Sequence, residues 1–176
     1  ARGRTVAFTD ADLSYSPDHL VTVIEAVEGG WDVAVGSRRH PSSTTVRGAG
    51  KVRDVGSRAI NLVTMGVLLS RPRDTQCGLK AFRSDVAALV FGLGHLDGFA
   101  FDIEVLHLVE RHELSLLEVP VRLRSADRST VRAARDGVRL LRDLRRIRHW
   151  AASGAYELDG RWLPVAETIG AGGAHN

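Results

Sequence analysis

The sequence predicts an α/β protein, a mostly parallel sheet with helices on its faces. Two observations predict it: short apolar runs alternate with stretches of helical period, and a strand, a helix and a strand follow one another at the head of the chain. That succession indicates a right-handed parallel crossover. At 176 residues the chain is about one domain, long enough for a real core.

The first strand is the run Val6-Ala7-Phe8, which continues into Thr9-Asp10-Ala11-Asp12-Leu13-Ser14. Side chains two apart share one face of a strand, so Asp10 and Asp12 point together from its carboxyl end. Such a pair is either a hook for a hard divalent cation or a solvated turn that caps the next helix. Ser16-Pro17 supplies an N-cap and a first helical proline, Leu20, Ile24 and Val27 share a helix face, and Gly29-Gly30 stops it. Trp31 to Val35 reads as the second strand, ending at Gly36-Ser37-Arg38.

Arg39 to Gly50 carries Ser, Thr, Gly and Arg without an apolar period and reads as a mobile loop. A helix is expected from about Val52 to Leu69, a strand over Cys77 to Arg83, and a short helix capped by Ser84-Asp85. Phe101 to Arg111 has helical spacing and Leu116 to Leu123 reads as a strand, with Pro120 arguing for an edge or a strand start. Val131 to Trp150 is the clearest helix, with Leu140, Leu144 and Ile147 on one face and arginines recurring on others. Ala151 to Asn176 is small and glycine-rich, which predicts a flexible C-terminal tail with a short hairpin near Tyr156 to Leu163.

Composition narrows the function classes. No apolar run approaches the roughly 20 residues of a membrane-spanning helix. The single Cys77 excludes an internal disulfide and a cysteine-rich metal site, which fits a reducing compartment. Of the 24 basic residues only Lys51 and Lys80 are lysines, and the formal charge is +3. Seven arginines and two aspartates give the helix 131–150 a net +5, so the excess charge is local. That helix could lie on an anionic membrane or simply pack with a charged outer face. Nucleic acid ranks far below, since Trp150 is the one nearby aromatic and no recognised module surrounds it.

Seven features occur in a particular order: DADLSYSPD (Asp10 to Asp18), GSR (Gly36 to Arg38), RDVGSRAIN (Arg53 to Asn61), DTQCGLKAFR (Asp74 to Arg83), FAFDIEVL (Phe99 to Leu106), EVPV (Glu118 to Val121) and the arginine-rich helix. Over about residues 4 to 150 this series resembles the family-2 glycosyltransferases that load a sugar onto a polyprenyl or dolichyl phosphate. DTQCGLK and the FD-x-E pattern are most similar to the glucosyl-phosphate synthases, with the mannosyl-phosphate synthases close behind.

The resemblance implies an enzyme of GT-A type, a Rossmann-like nucleotide-diphospho-sugar transferase fold. It also implies a UDP-glucose or GDP-mannose donor, a polyprenyl-phosphate acceptor, Mg2+ or Mn2+, inversion at the sugar, and a place at the inner, cytoplasmic membrane face with peripheral contact through helix 131–150. Residues 1–150 correspond to the C-terminal part of the catalytic domain, with 151–176 as its tail; the family's first β-α elements, which hold the base, would be missing. A truncated domain binding membrane or protein partners without turnover, or a nucleotidyltransferase, are the alternatives.

By the same resemblance Asp10 and Asp12 are metal ligands, and Arg38, Arg53 and Ser57 bind the acceptor phosphate. Arginine's planar fork suits that task, and Arg53 and Ser57 stand one helical turn apart. Arg53 and Arg58 could equally lie on a solvated helix face. Gln76, Lys80 and Arg128 are candidate substrate contacts; Arg128-Ser129-Thr130 replaces the family's Gly-Ser-Lys. Asp102 and Glu104 are the catalytic candidates, but two residues apart on a helix they cannot share a pocket, and acids there also favour the helix dipole. Cys77 reads as a buried residue rather than a nucleophile, and His107 and His112 lack the spacing of a zinc pair.

Overall fold

The computed structural model describes residues 3–10, 15–45, 64, 68, 74, 77–98, 100–123 and 133–158. In order these form β1 (Thr5–Phe8), α1 (Asp18–Glu28), β2 (Val33–Ser37), β3 (Thr44–Thr45), β4 (Lys80–Arg83), α2 (Ser84–Leu93), α3 (Phe101–Arg111), β5 (Leu116–Pro120), β6 (Arg122–Leu123) and α4 (Ala133–Ala152). The expected helix over 52–69 lies outside the described residues apart from Thr64 and Leu68.

The main sheet has the order β1-β4-β2-β5. It is mixed rather than mostly parallel. Among the described residues, β4 runs antiparallel to both β1 and β2, and the β2–β5 ladder is parallel. β1 and β2 therefore run the same way, as the crossover requires, but β4 is inserted between them. Nothing in the side chains of a short apolar strand encodes its direction, so this reversal is set by the connections and not by the pattern. Pro120 pairs with Ser37 at the end of β5, which is an edge of the sheet among the described residues, where a missing N–H costs no ladder bond on the open side. The loop after β2 is not wholly irregular: Thr44–Thr45 pairs parallel with Arg122–Leu123 in a second, two-stranded sheet.

Alternation divides the core into two layers. Ala7, Ala81 and Ala34 stand in register across three strands and, with Leu79 and Val119, face α1, which buries Val23 and Val27 against them. A row of alanines lets that helix approach closely. The opposite row, Val6, Phe82 and Val33, faces α2, α3 and α4 in the larger cluster. α4 contributes Leu140, Leu144 and Ile147, all buried. At roughly 1.5 to 3 kcal/mol for each fully buried large apolar side chain, this seam suffices to hold α4 on the domain.

Local signals differ in places. The Ser16 hydroxyl donates to Asp18 instead of capping α1, and Trp31 lies ahead of β2 and is exposed. Beyond α4, residues 153–158 turn and bury Tyr156 completely while Ser153, Ala155, Glu157 and Leu158 stay exposed, so one aromatic of the expected tail joins the core. Residues 159–176, with most of the expected hairpin, lie outside the described residues. Among the described residues, no helix is long and apolar enough to cross a membrane.

Candidate active site

β1 and β2 end, and β4 begins, at the same edge of the sheet. Lys80 opens β4 opposite Phe8 of β1 and Val35 of β2. Asp10 therefore stands two residues past one neighbour and Arg38 three past the other. The first turn of α3 adds Asp102, whose Oδ1 lies 2.7 Å from the Lys80 Nζ. Four segments distant in sequence thus bring Asp10, Arg38, Lys80 and Asp102 to one edge.

Each side chain is held for a physical reason. Lys80 is fully buried, donates to the Cys77 carbonyl at 2.6 Å, and lies 5.7 Å from the centre of the Phe8 ring. A buried ammonium needs an anion, and Asp102 is that anion. Asp102 itself remains partly exposed, with 27% of its side chain open to solvent. Asp10 lies over Gly78, where a Cβ would fall inside its carboxyl group. The missing side chain at Gly78 is what admits the carboxylate there.

Arg38 is clamped by Asp74, which sequence reasoning overlooked. Its Nε and Nη2 donate to the two carboxylate oxygens at 2.7 and 2.8 Å, and its backbone N–H donates to Oδ2 at 2.9 Å. Burial works against the Arg38 charge, but the hydrogen bonds and charge of Asp74 hold the guanidinium well above its ordinary pKa. One edge of the fork that was expected to grip a phosphate is therefore committed to Asp74, a carboxylate inside the DTQCGLK stretch itself. Behind this pair, burial first and the neighbouring Cys77 second push the Tyr15 phenol up, and burial pushes the Cys77 thiol up. A protonated, fully buried thiol is no nucleophile.

The two acids of FD-x-E part company. Asp102 faces the sheet edge, whereas Glu104 is wholly buried on the other side of α3. There it accepts from the His95 and Leu96 N–H groups at 3.0 and 2.8 Å and from the Tyr156 hydroxyl at 2.7 Å. A carboxylate so enclosed cannot also reach a ligand at the edge. The structure does not bring Glu104 to the edge with Asp102, because two steps of an α-helix turn a side chain by about 200°. His107 and His112 lie away from the edge, and their Nε2 atoms are buried without a hydrogen-bond partner among the described residues.

Asp12, Arg53, Ser57, Arg58, Gln76 and Arg128 lie outside the described residues. Among the described residues no group of three His, Cys, Asp or Glu side chains could hold a metal. The donor chemistry at Asp10 does suit a hard divalent cation, which commonly takes one or two carboxylates and completes its shell with substrate phosphates and water.

No family model matches the chain. The chain is 31% identical over 150 residues to a dolichyl-phosphate beta-glucosyltransferase of Drosophila melanogaster, covering 82% of this chain and 46% of that protein. It is 34% identical over 122 residues to glycosyltransferase AglD of Haloferax volcanii, 69% of this chain and 19% of the relative. With the polyprenol monophosphomannose synthase of Mycolicibacterium smegmatis the identity is 32% over 114 residues, 64% of this chain and 42% of the relative. The chain spans about half the length, or less, of the curated relatives it matches. Similarity to a dolichyl-phosphate glucosyltransferase and a polyprenol monophosphomannose synthase alike, together with an α/β fold, makes this chain a family-2 polyprenyl-phosphate-glycosyltransferase-like protein.

Proposed function

We propose that the protein is an enzyme that moves a hexose from UDP-glucose or GDP-mannose onto a polyprenyl phosphate, with help from Mg2+ or Mn2+ and with inversion at the sugar. The observation that carries this reading is the convergence of Asp10, Arg38, Lys80 and Asp102 at the end of the sheet where β1 and β2 terminate. The names of the relatives supply the substrate class.

In the proposed reaction an acceptor phosphate oxygen forms a bond to the anomeric carbon as the bond to the nucleoside diphosphate breaks, and the leaving group keeps the electron pair. A phosphate monoester is already largely anionic near neutral pH, its second pKa being about 6, so positioning matters more than a general base. Asp10 and Asp12 would hold the divalent ion, which when bound supplies positive charge beside the departing diphosphate. Arg38, Arg53 and Ser57 would hold the acceptor phosphate. Asp102, tethered by Lys80 and still partly exposed, would stand beside the sugar, with Gln76 and Arg128 as further substrate contacts. The outer face of α4 would rest on the cytoplasmic membrane face, where the lipid acceptor is.

The test is to give the protein, as encoded in full, each nucleotide sugar with Mn2+ and a short polyprenyl phosphate. Expected are an organic-extractable sugar lipid and one nucleoside diphosphate per transfer, both lost in Asp10→Asn/Asp12→Asn. Calorimetric donor binding without turnover would point to a non-catalytic domain, and pyrophosphate released from a nucleoside triphosphate to a nucleotidyltransferase.

A further inference from the structure

Tyr156 lies beyond the basic helix, yet its hydroxyl ends on the helix that carries Asp102. The ring is wedged between three elements: its centroid is 5.6 Å from His95, 6.0 Å from His107 on α3 and 6.4 Å from Trp150 on α4. His95 in turn stacks on Trp150 at 4.8 Å. The hydroxyl donates to Glu104 Oε1 at 2.7 Å, while the Leu96 N–H donates to Oε2 at 2.8 Å. Glu104 is therefore a knot tying the Gly94–Leu96 turn and the residues after α4 to the first turn of α3.

Asp102 belongs to that same turn, two residues earlier, and meets Lys80 on the opposite side. A helical turn moves as a unit, because its residues share the backbone hydrogen bonds that define it. Loosening Glu104 on one side therefore shifts Asp102 on the other. Burial first, and Glu104 second, push the Tyr156 phenol up, so it stays a donor throughout the physiological range.

We infer that Tyr156 is a positioning residue: through Glu104 it fixes the first turn of α3 and with it the place of Asp102 at the candidate site. The seat of the basic helix and the geometry of the site are then one mechanical unit. The part of this inference that concerns turnover rests on the transferase reading above.

The experiment uses the full-length protein with Tyr156→Phe, which keeps the ring, Asp102→Asn, and the double variant. Amide hydrogen exchange over 94–104 is expected to accelerate at least tenfold in Tyr156→Phe while 116–120 stays unchanged, in keeping with loss of one donor to a buried carboxylate. Unchanged exchange over 94–104 overturns the inference. For turnover, kcat is expected to fall five- to tenfold with the donor KM within twofold, and Tyr156→Phe is expected to add less than twofold in the Asp102→Asn background. An equal loss of kcat in both backgrounds shows a general structural role and overturns the positioning claim. A wild-type protein that transfers no sugar sinks the transferase reading instead, and the exchange result alone then decides on the knot.

Discussion

Lys80 and Asp102 hold each other at 2.7 Å across the junction of β4 and α3, but unequally: 1% of the Lys80 side chain is exposed against 27% of Asp102. Removing the acid strands an ammonium with no way to water. Removing the base leaves a carboxylate that solvent can reach.

Asp102→Ala is accordingly expected to destabilise the fold by roughly 3–5 kcal/mol, as for other buried pairs broken from one side. Lys80→Met keeps an apolar stem beside Phe8 and is expected to cost about 1–2 kcal/mol. Urea denaturation of both variants measures the order. Equal costs, or the reverse order, would show that Asp102 is not the counter-charge that lets Lys80 be buried.

How far this site was legible in the sequence depends on the kind of signal. α3 was readable to the residue, since Phe101 to Arg111 carries its apolar face at helical spacing. The same spacing shows that Asp102 and Glu104 diverge, but which one looks to the sheet edge depends on how α3 packs. β4 was recognisable as a strand while its place between β1 and β2 was not, because order and direction belong to long-range pairing. Arg38 behind a strand end suggested an open cationic fork; Asp74, 36 residues on, closes one edge of it, and only the fold shows that. Tyr156 was hidden by its company, a stretch whose small residues and glycines outvoted one aromatic.

Gly78 is expected to accept no side chain. Its backbone φ is not in the left-handed region, so the obstacle to alanine is the Asp10 carboxyl group itself. Gly78→Ala is expected to cost about 1–3 kcal/mol, the range for an overpacked site, and to displace Asp10. On the proposed metal role, Mn2+ affinity measured by calorimetry then falls at least tenfold. Retained affinity in a folded Gly78→Ala protein would separate Asp10 from metal binding.

Acid sensitivity should come from α3. Burial, ahead of every other influence, holds the His107 and His112 imidazoles below their ordinary pKa, and His107 Nδ1 lies 3.3 Å from the Leu68 carbonyl. The unfolded chain takes up protons near the free-histidine value of about 6.5, the folded protein only at lower pH. These groups therefore leave stability intact above about pH 6.5, and it is lost as the pH falls from there through the folded values. In His107→Leu/His112→Leu the slope of stability between about pH 7 and pH 5 should flatten, whatever the variant does to absolute stability. An unchanged slope in urea titrations would place the acid sensitivity elsewhere.

The outer face of α4 presents Val138, 70% exposed, and Leu141, 49% exposed, on a strip that continues through Arg142 and Arg145 at three- and four-residue steps. Exposed arginines at 139, 146 and 148 flank it, and Arg146 also lies 4.8 Å from the Trp150 ring. Because Leu140, Leu144 and Ile147 already bury the inner face, this strip can be altered without unseating the helix. On the proposed membrane role, each arginine near an anionic surface would contribute about 1 kcal/mol and the two apolar side chains would enter the interface. Arg142→Glu/Arg145→Glu should lower partitioning into phosphatidylserine vesicles more than tenfold at low salt, with an unchanged melting midpoint and a wild-type affinity that weakens as salt rises. Wild-type protein that ignores such vesicles at low salt would leave the charged face as a solvated surface and remove α4 from the account of how a lipid acceptor is reached.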